Sequence, residues 1–156
     1  MSTGAVSPQH PAEPVRHRLN IDAMTADQLG AFRHAMSASM GIRDDRGYMD
    51  QAGIHGLPLP ISCDVAHGRP VFLPWHRAYL YFFELTLRDR VPGVTLPWWD
   101  WTTRRSIPGA YGEREVDGER NPLFSAEVDP KAIAQGVRSG DDKAPWTVRY
   151  PGQPGS

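Results

Sequence analysis

The chain has a single cysteine, Cys63, among 156 residues. No intrachain disulfide can form, which excludes a small scaffold built on disulfides. No apolar run approaches the ~20 residues that a membrane-spanning helix needs. The first residues, Met-Ser-Thr-Gly-Ala-Val-Ser-Pro-Gln-His10, lack the basic segment and apolar core of a secretory signal. A cytoplasmic protein is the default expectation, with export alongside a partner as the alternative. Charge of one sign is also missing: the formal net charge is −1 and no basic cluster stands out. Nucleic acid and anionic membranes are therefore not expected partners.

Histidine is absent from the whole second half. All six histidines lie at or before His76. What is abundant is Gly and Pro, 15 of each, which predicts long irregular connections between few regular elements. With 40% apolar and 22% charged residues, the prior is a globular chain. Its length suits one domain that buries about 70% of its unfolded surface.

Residues 1–24, Pro-rich and polar, read as a flexible lead-in whose His10 and His17 are ordinary exposed histidines. Thr25-Ala-Asp-Gln28 is a capping box. Leu29, Phe32, Met36 and Met40 follow at helical spacing, and Gly41 can end that helix. His34 lies off the stripe and reads as a surface residue. The methionines read as core filler rather than metal ligands.

A second, shorter helix is predicted over Asp44–Gly56. Tyr48, Ala52 and His55 share one of its faces, with Gly53 allowing a close neighbour. Leu57–Leu73 carries Pro58, Pro60 and Pro70, so it reads as a constrained loop. Cys63 and His67 lie in it. A buried structural thiol is the preferred reading of Cys63, with a thiolate ligand or a covalent Cys–His link as alternatives.

A third helix is predicted from Pro74, a favoured first helical residue, to about Arg90. His76 then falls in the first turn, where the helix dipole favours the neutral ring that a metal requires. His76, Leu80, Phe83 and Leu87 form the inward stripe. Arg77, Tyr81, Glu84 and Arg88 form the opposite one, with Glu84 and Arg88 an i, i+4 pair. Leu96–Thr102 places three tryptophans around Asp100, read as a core plug with Asp100 bonded to backbone. Asn121-Pro-Leu-Phe124 is the one apolar anchor of the remainder. Tyr150–Ser156 reads as a loop interrupted rather than a finished terminus.

Three imidazoles, His55, His67 and His76, two of them flanking a Pro/aromatic loop, suggest one metal held by nitrogen ligands. Imidazole suits copper, zinc, iron and nickel alike. A His₃ zinc hydrolase would need a nearby acid to activate water, and only Glu84 and Asp100 are at hand.

Ile54-His-Gly56, His67-Gly68, Phe72-Leu-Pro-Trp-His-Arg-Ala-Tyr-Leu80, Phe83-Glu84 and Leu96-Pro-Trp-Trp-Asp-Trp101 together resemble the first copper-binding half of tyrosinases and catechol oxidases. These belong to the type-3 copper proteins, with the mollusc haemocyanin units. The likeness covers roughly residues 25–125, which it marks as the copper A region. Residues 126–156, with Thr147-Val-Arg-Tyr-Pro-Gly152, are similar to a connector towards a second half.

The resemblance implies a mainly α fold, here a partial tyrosinase-like bundle of about three helices with long irregular loops. It implies His55, His67 and His76 as the copper A ligands. Apart from the resemblance, Asp100, Glu84 and Phe83 are the secondary candidates for the shell around them, with Glu84 first read as structural. Members bind dioxygen between two coppers and oxidise monophenols or o-diphenols to o-quinones. The completed enzyme would hold two coppers, this chain one. The second site needs three further histidines. His10, His17 and His34 do not offer them, since they precede the first site and form no i, i+4 pair. The implied partners are dioxygen, a phenolic substrate and a copper B half in cis or in trans, with a copper-loading accessory chain as a further candidate. The chain alone is expected to be inactive. A non-catalytic mononuclear copper-binding module is the alternative.

Overall fold

A computed structural model describes residues 15–55, 67–134 and 146–147. Helices dominate it, as expected, and β-structure is confined to one two-residue hairpin and two isolated bridges. Helix α1 spans Ala26–Met40. Thr25 caps it through the expected box: its hydroxyl accepts from the Gln28 N–H while the Gln28 side chain accepts from the Thr25 N–H. Gly41 closes the other end. Phe32, Ala35 and Met36 are buried, and His34 is exposed on the far side.

Helix α2 spans Tyr48–His55, four residues shorter at its start than predicted. The cause is Asp44, whose carboxylate accepts from the Arg46 N–H and from the Arg46 guanidinium. Gly47 then donates to the Asp44 carbonyl at 2.8 Å. That local turn competes with helix, as short acidic side chains commonly do. Gly56, the predicted end of this helix, lies outside the described residues, as do Cys63 and the Pro58–Pro60 stretch of the loop.

Helix α3 spans Phe72–Arg88. It begins two residues before Pro74, so Pro74 is its third residue. A proline is tolerated there because the first four N–H groups of a helix have no intrahelical acceptor. His76 is accordingly the fifth residue, beyond the first turn in which the dipole acts most strongly. Leu87 is fully buried and Phe83 half-buried against α1, while Leu80 stays largely exposed.

Glu84 corrects the predicted pairing. It is buried, and its partner is Arg18 at 2.7 Å rather than Arg88, with the Leu96 N–H donating to the same oxygen at 2.8 Å. Glu84 thereby ties three segments together. Residues 18–24 are held in place where the sequence suggested a loose lead-in. Asn20 and Trp98 form a bridge in which Ile21 and Trp98 donate to the carbonyls of Trp98 and Leu19, both at 2.9 Å. Ile21 itself is buried at the start of a short 3₁₀ turn, Ile21–Ala23.

The core joins α1 and α3 with Val94 and Leu123. The Asn121 anchor is present: its buried amide donates to the carbonyls of Ala110 and Glu113, both at 2.8 Å, and its oxygen accepts from Leu123 N–H. Short helices α4, Gly109–Gly112, and α5, Pro130–Ala134, and the strands β1, Glu115–Val116, and β2, Glu119–Arg120, are the remaining elements among the described residues. The predicted tryptophan plug is not formed: Trp98, Trp99 and Trp101 are exposed at 48%, 37% and 70%. No helix among the described residues is long and apolar enough to cross a membrane.

Candidate metal centre

The end of α2, the stretch just before α3 and the second turn of α3 meet at one point. They bring His55, His67 and His76 together, with one ring nitrogen of each within 4.8 Å of the others. His55 Nε2 and His76 Nε2 are 3.2 Å apart, and His67 Nε2 and His76 Nε2 are 3.3 Å apart. The His67 and His76 rings stack at 5.2 Å and 10°, and His55 meets His76 edge-on at 5.3 Å.

One hydrogen bond fixes the tautomer of His76. Its Nδ1 lies 2.7 Å from the Phe72 carbonyl. A carbonyl only accepts, so Nδ1 carries the proton and a neutral His76 presents Nε2 as a lone pair. Ligand histidines in metal sites are held in this way, by a carbonyl or carboxylate on the other nitrogen. Two ring nitrogens then approach that lone pair, and hydrogen bonding among the rings can satisfy only one of the two contacts. A cation at the common centre satisfies all three. Three imidazole nitrogens about 2.0–2.1 Å from a metal at tetrahedral angles lie roughly 3.3–3.4 Å apart, close to the spacing seen. The donor set therefore fits a metal of the imidazole-binding class, copper included.

Electrostatics favour the same state. Desolvation of the ring, limited because His55 is exposed overall, and then the facing His76 and His67, push the His55 imidazole below its ordinary value of 6.5. The neutral ring, the form that a metal binds, is thereby favoured.

The structure separates the other candidate residues from this centre. Glu84 is occupied by Arg18 and Leu96, two turns along α3. Phe83 packs on the Tyr48 ring at 6.2 Å, at the edge of the core. Asp100 accepts from the N–H and hydroxyl of Thr102, and this, with Thr103, holds its carboxyl below the usual range. None of these three contacts points to a ligand-orienting role, because each side chain is spent on its own neighbourhood. The rings that do touch the triad are others. Phe72 lies 4.3 Å from His76 and 5.4 Å from His67, and Trp75 and Tyr79 lie 6.2 and 5.7 Å from His55. The sequence held a signal for them: Phe72 and Tyr79 stand four before and three after His76, the spacings that share a helix face.

Comparison with known proteins points to one family. The common central domain of tyrosinase matches residues 45–151. The chain belongs to the tyrosinase family of type-3 copper proteins. It is 46% identical over 115 residues to grixazone synthase of Streptomyces griseus, covering 71% of this chain and 34% of that protein. It is 40% identical over 138 residues to tyrosinase HcTyr2 of a Hahella species, covering 69% and 25%. A functional unit of octopus hemocyanin superposes with a TM-score of 0.65 at 27% identity, over 74% of this chain and 31% of that one. The chain thus spans about a third or less of each of these relatives.

Proposed function

We propose that this chain is the copper A half of a tyrosinase-type polyphenol oxidase. Completed by a copper B half, in cis or in trans, it oxidises monophenols or o-diphenols to o-quinones with dioxygen. The observation that carries the reading is the convergence of the three Nε2 atoms, with the tautomer of His76 fixed by Phe72.

Copper in such a site supplies a one-electron centre, and a catechol gives up two electrons, so two such centres are needed. This chain's residues prepare one of them. His76 keeps its lone pair aimed inward, the neutral form of His55 is favoured, and His67 closes the third side. His55 and His67 are exposed, which leaves the centre open to a second site and to substrate. Beside it, α3 leaves Leu73 73% and Leu80 40% exposed on the side that carries His76. Apolar surface of this kind marks a face that packs against another element, which supports completion by a second half.

The second reading is a non-catalytic module that holds one copper. Copper titration of the purified chain tests both. One copper per chain is expected, lost in His67→Ala or His76→Ala, with no catechol oxidation by the chain alone. Co-expression with a tyrosinase second half is expected to give oxygen-dependent quinone formation. A chain that binds two coppers overturns the half-site argument. Failure to gain activity with any second half favours the module.

A further inference from the structure

Two elements must keep a fixed spacing for His55 and His76 to share a metal, since α2 carries one and α3 the other. Between them stands Tyr79. Its hydroxyl donates to the Gln51 carbonyl at 2.8 Å. Gln51 is four residues before His55, so this is the carbonyl on which the backbone N–H of His55 would close the last helical turn. The Tyr79 ring lies 5.7 Å from the His55 ring and is stacked on Trp75 at 5.4 Å and 15°. Trp75 in turn meets His76 edge-on at 4.8 Å. The hydroxyl thus fixes the register of α2 on α3, and the ring forms a wall beside the imidazole it has placed.

We propose that Tyr79 is a positioning residue of the metal centre: it sets where His55 Nε2 stands relative to His76 Nε2. The proposal rests on the reading of the triad as a copper site. Tyr79 touches neither metal nor substrate; it acts through His55. Removing its hydroxyl frees the last turn of α2 to shift against α3, and the first quantity to change is the ligand geometry.

The test uses the full 156-residue chain with Cu(II) as probe. Tyr79→Phe removes the hydroxyl and keeps the ring; Tyr79→Leu removes both. Tyr81→Phe makes the same chemical change two residues on, at a side chain 49% exposed on the outer face of α3. Copper affinity is measured by chelator competition, and ligand geometry by the electron paramagnetic resonance spectrum of the bound Cu(II). Tyr79→Phe is expected to weaken binding by roughly tenfold, at the lower end for partners of metal ligands, and to change the copper hyperfine splitting. Tyr79→Leu is expected to do more, and Tyr81→Phe neither. A general loss of stability alone would lower the thermal midpoint without altering the spectrum of the protein that still binds. If Tyr79→Phe binds copper with wild-type affinity and an unchanged spectrum, the proposal is overturned. If the wild-type chain binds no copper, it is the copper reading that fails, and the two failures are distinct.

Discussion

His76 donates through Nδ1 to the carbonyl of Phe72, one turn back along its own helix, at 2.7 Å. The same residue lays its ring against the imidazole at 4.3 Å and against His67 at 5.4 Å. Phe72 therefore acts on the centre twice, and only one of the two contacts depends on its side chain. Phe72→Ala keeps the carbonyl and removes the ring that holds His67 and His76 in place. Copper affinity is expected to fall about tenfold, within the range for residues that orient ligands, while Phe72→Tyr stays near wild type. Chelator competition measures both; equal affinity in all three proteins shows that the backbone contact alone is enough.

Gly47 controls how α2, and hence His55, is launched. It is buried in the turn that Asp44 closes, and a Cβ there would collide with the carbonyl of Ile42. That neighbour is backbone and cannot rotate away. Gly47→Ala is expected to destabilise the chain by about 1–3 kcal/mol, the usual cost of an overpacked site. A urea unfolding curve reads this directly. A wild-type midpoint for Gly47→Ala contradicts the close approach.

Glu84 offers a separation of stability from metal binding. It is eight residues from His76, about 12 Å along the helix axis, and it holds Arg18 and the Leu96 N–H at once. Replacing it with alanine strands a backbone donor and a guanidinium. With Arg18 37% exposed, solvent offsets part of the loss, and roughly 1–3 kcal/mol is expected, the range for a buried polar group left without its partner. Copper affinity of the folded Glu84→Ala protein is expected to stay unchanged. If affinity falls as steeply as in His76→Ala, Glu84 has a role at the centre that its contacts do not reveal.

Much of this was legible in the sequence because it depends on local chemistry. The Thr25–Gln28 box, the Leu29–Met40 stripe and the Gly41 stop are encoded within a turn or two of themselves, and each is found where predicted. The three histidines converge as their motifs implied. What was not legible depends on partners distant in the chain. Nothing near Glu84 announces Arg18, 66 positions away, so the neighbouring Arg88 was the natural choice. The start of α3 at Phe72 is not marked by Pro74, because proline is as harmless at the third helical position as at the first. The size of Trp98, Trp99 and Trp101 argues for a buried plug, yet among the described residues nothing covers them fully. The roles of Phe72 and Tyr79 required knowing which face of α3 meets the triad.

Acid provides the last test. The His55 pKa lies below 6.5 in the folded chain because burial and the facing His76 and His67 oppose a charge there. Between that folded value and the ordinary one, the unfolded chain holds a proton that the folded chain does not. Stability rises with pH wherever the unfolded state binds more protons. The contribution from a neutral His55 is thus complete above about 6.5, the unfolded value, and is withdrawn as pH falls through the folded value. Urea midpoints of the metal-free chain, taken from about pH 7.5 to about pH 5.5 around that ordinary value, are expected to decline, and His55→Gln is expected to flatten the decline. Bound copper should steepen it, since every ligand nitrogen must shed its proton to bind. A His55→Gln protein with the same pH slope as wild type would place the titrating group elsewhere.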